Sequence, residues 1–430
     1  MSVFRAAALA ATSLAVAVPA FGQGIPRAQS PEEVGFVATR LKRLSDRIEE
    51  GVRNNELPGA VVLIARNGKI VMFDAFGFRD KEAKAPMKTD SIFRIASMTK
   101  PITSVAAMML AEEGKLTLAD KVSKYIPAFA DTKVSVSTRK ADGTVELSLE
   151  PQFRPMTVHD LFRHTSGLTY GAAGSNPVKQ SYIDMKVMAP DQTNEQMADK
   201  LAKLALLYQP GTTWEYSMST DVLGRVVEVA SGMPLDKFIE ERITKPLKMG
   251  DTGFDVGLEK KDRGAKPQKE GPKGEVPSVP EVTLKTTWKS GGAGMVSTAA
   301  DYARFLQMFA NGGQLDGARV LSRKSIDLMT ADHLSPDVKM GDDMWRLEAL
   351  EPSSRLGQGF GLGFTVRNDQ GRNPLHGSPN DYHWAGAWGT YFWHDPREHL
   401  YVVLMMQSPS SSFQYRHLMR GLVYQALIGN

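Results

Sequence analysis

The strand-forming stretches of this chain lie at its two ends, with a long helical run between them. Gly59–Ala65 (Gly-Ala-Val-Val-Leu-Ile-Ala) and Ile70–Phe76 are β-rich and flank Arg66-Asn67-Gly68-Lys69. An Asn-Gly pair between two such runs is the strongest short hairpin signal in the chain. The β pattern returns only after Arg346, in Gly359–Val366, Gly389–Trp393 and Leu400–Met406, with Asp395-Pro396-Arg397-Glu398 turning the last two against each other. Between Ser97 and about Arg323 the apolar spacing is helical, in Val158–Arg163, Asn194–Leu207, Thr220–Ala230, Leu235–Ile243 and Thr298–Ala310. Arg27–Glu56 and Ser412–Ile428 also read as helices. An isolated hairpin is marginal in water, so strands from both ends most simply pair in one sheet. The expected class is therefore α+β, an α/β sandwich: an antiparallel sheet flanked by N- and C-terminal helices, with a mostly helical second lobe. Residues 23–96 and 346–430 would build the sheet lobe and 97–345 the helical one, as a single unit over about 31–430. A cleft between lobes is a common place for an active site, and Ser97 lies where the chain crosses from one to the other.

At that crossing the sequence is Ile95-Ala96-Ser97-Met98-Thr99-Lys100-Pro101. Residues three apart on a helix share a face. Behind them Ile102, Val105, Ala106, Met109 and Leu110 form an apolar stripe, and Gly114 is a stop signal. Pro101 is tolerated only near a helix start, which puts Ser97 in the first turn. There, free N–H groups and the helix dipole favour a developing negative charge. A hydroxyl needs a base to become a nucleophile, and Lys100 is one candidate. Alone, Ser-x-x-Lys is a chance-level motif in a chain of this length.

Composition excludes several classes of function. A net charge of +4 over 430 residues, with no Lys/Arg run interleaved with aromatics, disfavours nucleic-acid binding. The complete absence of cysteine excludes disulfides, thiolate metal sites, a lipidated N-terminal cysteine and a cysteine nucleophile. Met1–Arg5 carries one positive charge, Ala6–Ala20 is apolar and Ala20-Phe21-Gly22 precedes Gln23. Residues 1–22 read as a secretory signal, too short to span a bilayer. An exported chain without disulfides suits a bacterial periplasm, with no stable membrane anchor after cleavage. Gly257–Lys285 is polar and rich in Lys, Pro and Gly, and reads as a surface loop.

Two further stretches can join Ser97. Trp214-Glu215-Tyr216-Ser217-Met218-Ser219 follows a Pro-Gly turn and precedes a helix. A tyrosine on such a loop can enter a cleft and act as a base if a cation such as Lys100 lowers its pKa. His383-Trp384-Ala385-Gly386-Ala387-Trp388-Gly389-Thr390 leads into a strand, where small residues allow close backbone approach. A backbone N–H there could share an oxyanion with that of Ser97. Tyr170, Trp214, Trp384, Trp388 and Tyr391 could line an apolar pocket or simply pack.

Together, Ser97-Met98-Thr99-Lys100, Tyr216-Ser217-Met218 and Trp384-Ala385-Gly386 resemble the three motifs of the serine β-lactamase and penicillin-binding-protein superfamily. Leu161–Leu168 and Ser290–Thr298 are similar to stretches of its class C branch. The likeness runs from about Pro31 to the C-terminus and is most specific to the family VIII carboxylesterases. It implies Ser97 as the acylated nucleophile, Lys100 as its activator and Tyr216 as partner in the base pair. It also implies an oxyanion hole from the Ser97 and Ala387 N–H groups, substrate contacts from Met218, Trp384, Ala385 and Gly386, and no metal or organic cofactor.

The departures narrow the substrate. β-Lactamases and peptidases of the group usually carry Asn where Met218 stands and Lys or His where Trp384 stands. Loss of one charge-assisted hydrogen bond costs about 1.5–3 kcal/mol of substrate binding. His383 is adjacent, but strand neighbours face opposite ways. The expectation is a serine hydrolase acting on small or short-acyl esters. A β-lactamase, D-Ala-D-Ala peptidase or other amide hydrolase is the alternative, and a catalytically idle relative that binds peptidoglycan fragments or a protein is the alternative of another class. The absence of Gly-x-Ser-x-Gly and His-Glu-x-x-His removes the signatures of α/β-hydrolases and zincins. Oligomeric state has no motif.

Overall fold

The computed structural model describes residues 24–140, 145–171, 176–271 and 274–429. The expected signal at 1–22 lies outside the described residues. An eight-stranded sheet organises the chain, every neighbouring pair of strands antiparallel. Its strands in chain order are β1 (Gly59–Arg66), β2 (Lys69–Asp80), β3 (Ala85–Pro86), β4 (Gln358–Phe360), β5 (Thr365–Arg367), β6 (Tyr382–Ala385), β7 (Tyr391–Asp395) and β8 (Leu400–Met406). In space the order is β4-β5-β6-β7-β8-β1-β2-β3. The first strand thus pairs with the last, Ala60 opposite Met406 and Arg66 opposite Leu400. All residues of β1 and β8 are buried, as their unbroken apolar runs require.

The β1–β2 hairpin turns at Asn67 and Gly68, whose φ values of +52° and +73° are those a two-residue type I′ turn demands. Ten α-helices are assigned among the described residues: α1 (Ala38–Arg53), α2 (Thr99–Glu112), α3 (Val158–Phe162), α4 (Pro177–Asp184), α5 (Asn194–Ala202), α6 (Ser219–Ser231), α7 (Leu235–Ile239), α8 (Ala299–Ala310), α9 (Arg323–Met329) and α10 (Ser412–Tyr424). Leu41, Leu44 and Ile48 of α1 and Tyr415, Met419 and Val423 of α10 are buried where these helices pack together. Helix α8 packs on β1 and β8. The α+β class and the antiparallel sheet built from both ends are those the sequence pattern predicts. No helix among the described residues is long and apolar enough to cross a membrane.

Three details differ from the sequence reading. Gly359–Val366 is two strands rather than one. The chain reverses at Gly361–Phe364, with Gly361 N–H donating to Phe364 O at 2.8 Å and Gly363 at φ +105°. A Cβ on Gly363 would stand 2.7 Å from Ser104 Oγ on α2, so this glycine lets the sheet edge lie against the helix that begins beside Ser97. A second hairpin, Val134–Arg139 with Val145–Glu150, stands within the helical region. Its Val-Ser-Val and Leu-Ser-Leu alternation is a period-2 signal too short to weigh against the helical surroundings. The polar stretch after Gly257 is tied to the body: Val282 joins a small buried cluster with Ile92, Val256 and Val296, and Glu270 accepts from Ser408 Oγ at 2.6 Å.

Candidate active site

Ser97 sits in a 3-10 turn, Ala96–Met98, that runs directly into α2. Ala96 has φ +44°, a left-handed conformation costly for a residue with a Cβ and one that concentrates at functional sites. The turn is clamped from several sides. Ile95 N–H donates to Met295 O at 3.1 Å, Thr99 Oγ1 accepts from Met295 N–H at 3.1 Å, and Tyr302 Oη donates to Met98 O at 3.0 Å. Pro101 falls in the first turn of α2, where its missing N–H costs nothing.

Lys100 is completely buried, and its ammonium is the centre of the site. Nζ lies 3.4 Å from Ser97 Oγ, 3.2 Å from Tyr170 Oη and 2.8 Å from Gly292 O. It also stands 4.6 Å from the ring centroid of Tyr216 and 5.7 Å from that of Tyr170, within cation–π range of both. Tyr216 is ringed by aromatics: Trp384 at 5.3 Å edge-on, Tyr170 at 5.4 Å, His164 at 5.0 Å and Trp214 stacked at 6.2 Å. Its Oη is buried with no hydrogen-bond partner among the described residues. A buried phenol usually finds one, so this oxygen is free for a reacting group.

The Tyr216 loop is fixed by hydroxyls. Ser217 Oγ bonds Ser219 Oγ at 2.7 Å, Ser219 bonds Ser166 Oγ at 2.7 Å, and His164 Nδ1 is 3.2 Å from Ser217 Oγ. Burial, reinforced by the Lys100 charge, holds the His164 pKa well below its ordinary value, so this imidazole is neutral. Burial and the neighbouring Tyr216 and Asp221 push the Tyr170 phenol well above its ordinary value. Tyr170 therefore stays protonated.

The third stretch closes on Ser97 through its glycine. A Cβ on Gly386 would stand 2.4 Å from Ile95 O and 2.2 Å from Thr390 Oγ1. Thr390 Oγ1 itself donates to Ile95 O at 3.2 Å. The end of β6 is thus held against the residue two before Ser97. Ala387 is exposed and the Ser97 side is half-buried, and neither residue's N–H is taken up among the described residues. Ala385 and Trp384 are buried, Trp384 packing edge-on against Phe360 at 5.4 Å, and Met218 is fully buried ahead of α6.

Ser97, Lys100, Tyr216 and the Trp384–Ala387 turn are therefore brought together. Sequence reasoning gave Tyr170 only a pocket-lining part and gave the Gly292 carbonyl none. Both touch Lys100; Gly292 lies in the Ser290–Thr298 stretch flagged by similarity alone, and Tyr170 stands two residues beyond Leu161–Leu168. Arg416 was also missed. Its Nη2 donates to Gly386 O at 2.7 Å, its Nε has no partner, and no carboxylate pairs with it among the described residues. Burial pulls its pKa down to about 10, opposed by Tyr391, Glu348 and Tyr216. No local signal marks it, since it arrives from α10 by folding.

Esterase EstB of Burkholderia gladioli is 35% identical over 301 residues, 65% of this chain and 72% of the esterase. A putative D-alanyl-D-alanine carboxypeptidase of Escherichia coli is 28% identical over 417 residues, 89% of this chain and 85% of that protein. The solved structure of EstCE1, described as a hydrolase with promiscuous acyltransferase activity, superposes with a TM-score of 0.72 at 26% identity, covering 90% of this chain and 99% of that one. The profile of the family described as Beta-lactamase matches residues 44–424. This chain belongs to that family, and it is a serine hydrolase with the β-lactamase and penicillin-binding-protein fold.

Proposed function

We propose that the chain is a carboxylesterase on small or short-acyl esters, working through an acyl-enzyme on Ser97. The observation that carries this reading is Trp384: the position where related antibiotic and peptide hydrolases carry a cation holds a buried indole packed on Tyr216 and Phe360. An apolar wall there suits a neutral acyl or alcohol group. The likeness to an esterase supports the same choice.

In this reading the ester carbonyl oxygen lies between the Ser97 and Ala387 N–H groups. Ser97 Oγ attacks the carbonyl carbon, and its proton passes to the Tyr216–Lys100 pair. The same pair protonates the departing alkoxide as the C–O bond breaks. Water then attacks the acyl-enzyme, gives its proton to the pair, and Ser97 leaves with that proton. Trp384, Ala385, Gly386 and Met218 shape the acyl pocket, the first three from the strand end and Met218 from behind Tyr216. Export through the 1–22 signal would deliver the enzyme to a periplasm, with Gln23 as the first residue of the mature chain.

Arg416 favours a second reading. A buried guanidinium with a free Nε beside Gly386 could recognise an acidic substrate, including a peptide carboxylate. One assay series separates the readings. The protein is offered p-nitrophenyl acetate and butyrate, a chromogenic cephalosporin and a D-Ala-D-Ala peptide, with Ser97→Ala as control. Ester turnover that disappears in Ser97→Ala is the expected result. Ester turnover surviving in that variant sinks the mechanism. Cephalosporin or peptide turnover exceeding ester turnover moves the choice to the second reading, and ligand binding without turnover would make the chain an idle relative.

A further inference from the structure

Asp221 is buried to 1% exposure in the first turn of α6, five residues after Tyr216. Its Oδ1 accepts from Ser290 Oγ at 2.5 Å and from Gly292 N–H at 3.1 Å. The carbonyl of that same Gly292 accepts from Lys100 Nζ at 2.8 Å. Thr103, one turn along α2 from Lys100, donates through Oγ1 to Gly291 O at 2.8 Å. The Ser290–Gly292 turn is thus gripped by an acid from α6 on one side and by α2 on the other. Both glycines are required: a Cβ on Gly292 would stand 2.4 Å from Asp221 Oδ2, and one on Gly291 2.7 Å from Thr220 O.

A buried carboxylate is costly unless opposite charge and hydrogen bonds offset the lost hydration. No ion pair to Asp221 forms within 4.0 Å among the described residues; the cation it faces is Lys100, one carbonyl away. Burial raises the Asp221 pKa, while Lys100, the Ser290 hydroxyl and the Gly292 N–H act to lower it. The groups facing Lys100 are Ser97 from its own turn, His164 and Tyr170 from the loop after α3, and Tyr216 and Asp221 from the α6 side. His164 is neutral and Tyr170 protonated, which leaves Asp221 as the one carboxyl group of this cluster among the described residues, its own pKa raised on balance by burial.

We propose that Asp221 is a positioning residue for Lys100, aiming its side-chain nitrogen at Ser97 through the Ser290–Gly292 turn. It touches neither Ser97 nor a substrate. When ionised, its carboxylate favours a proton on its neighbours, so its removal is read in the pH dependence of turnover. The proposal rests on the acyl-enzyme reading of Ser97, Lys100 and Tyr216.

The test is the pH profile of kcat/KM for p-nitrophenyl butyrate with the full chain. Asp221→Asn keeps an acceptor for Gly292 and Ser290 but removes the charge. A negative neighbour raises the pKa of a basic pair, so its removal moves the acid limb to lower pH, by about one unit, with kcat down about tenfold and KM little changed. Ser290→Ala loosens the carboxylate but leaves its charge. It is expected to lower kcat several-fold with the acid limb unmoved. A folded Asp221→Asn with the wild-type acid limb overturns the proposal. If that variant does not fold, Ser290→Ala with kcat within twofold of wild type overturns it. Labelling of wild-type Ser97 by a fluorophosphonate, read by mass, keeps the two ideas apart. Absent labelling ends the acyl-enzyme reading itself, whereas labelling with an unmoved Asp221→Asn profile ends only the role of Asp221.

Discussion

Gly386→Ala probes the joint between the third motif and the Ser97 turn. The new methyl would stand 2.4 Å from Ile95 O and 2.2 Å from Thr390 Oγ1. The threonine hydroxyl can rotate away, at the loss of its bond to Ile95 O. The Ile95 carbonyl cannot, because it belongs to the backbone clamped by Met295. Restoring ordinary van der Waals contact requires β6 and the Ile95 backbone to part by about 1 Å. That displacement falls between the two N–H groups assigned to the oxyanion hole, whose donors work only at about 2.7–3.1 Å. Losing one such donor costs about 100- to 1,000-fold in kcat, and a 1 Å misplacement alone about 100-fold. The expected result is kcat for p-nitrophenyl butyrate down about 100-fold, with KM changed much less and stability lower by about 1–3 kcal/mol from overpacking. Gly421→Ala on α10 is the matched control, since nothing lies within 4 Å of its added Cβ. It should leave kcat unchanged and gain about 0.5–1 kcal/mol of stability. A folded Gly386→Ala with kcat within threefold of wild type would refute the geometric argument.

Other consequences can be measured separately. Tyr170→Phe removes the hydroxyl 3.2 Å from Lys100 Nζ. A hydrogen bond to a charged group is worth about 1.5–3 kcal/mol, so kcat should fall about 10- to 100-fold with little change in melting temperature. Arg416→Gln should reduce turnover of esters bearing a free carboxylate more than turnover of neutral ones; equal loss on both would leave Arg416 with a purely structural part at Gly386. Acid stability should depend on Asp160. Burial opposes its ionisation, but bonds from Arg154, the Thr157 N–H and the Thr157 hydroxyl outweigh it and bring the pKa down to about 2. Because that pKa is depressed, the stabilisation is complete above the unfolded value of about 4 and is lost as pH falls towards 2. Urea midpoints of wild type and Asp160→Asn should accordingly differ most near neutral pH and converge at the acid end.

Local chemistry made much of this molecule legible. The Asn67-Gly68 turn, the apolar stripe behind Ser97 and the unbroken aliphatic runs of β1 and β8 each carry their own reason for being where they are. The same local rules misread Gly359–Val366, because its reversal is set by Gly363 passing under Ser104 of a distant helix. At the site, spacing located Ser97 and Lys100 on one helical face, loop and turn chemistry offered Tyr216 and the Trp384–Ala387 turn as candidates, and similarity gave them their roles. The remaining ligands of the Lys100 ammonium, Tyr170 and the Gly292 carbonyl, lie 70 and 192 residues further along the chain. Nothing in either neighbourhood encodes that they will converge, since only tertiary packing decides it.

The place of β1 between β8 and β2 has a consequence for how the chain matures. Its partner strand is synthesised long after it, and Ile428 N–H and Gly429 N–H both bond back to Gly35 O. Until residues 400–429 have emerged, the first hairpin has one open edge lined with aliphatic side chains and nothing to pair with. Closing a loop of this length before the contact rewards it makes the step slow, and an unpaired apolar edge invites aggregation in the interval. The sheet is sealed from the C-terminal end, so truncations of even the last strand and helix should yield insoluble chains rather than smaller folded ones.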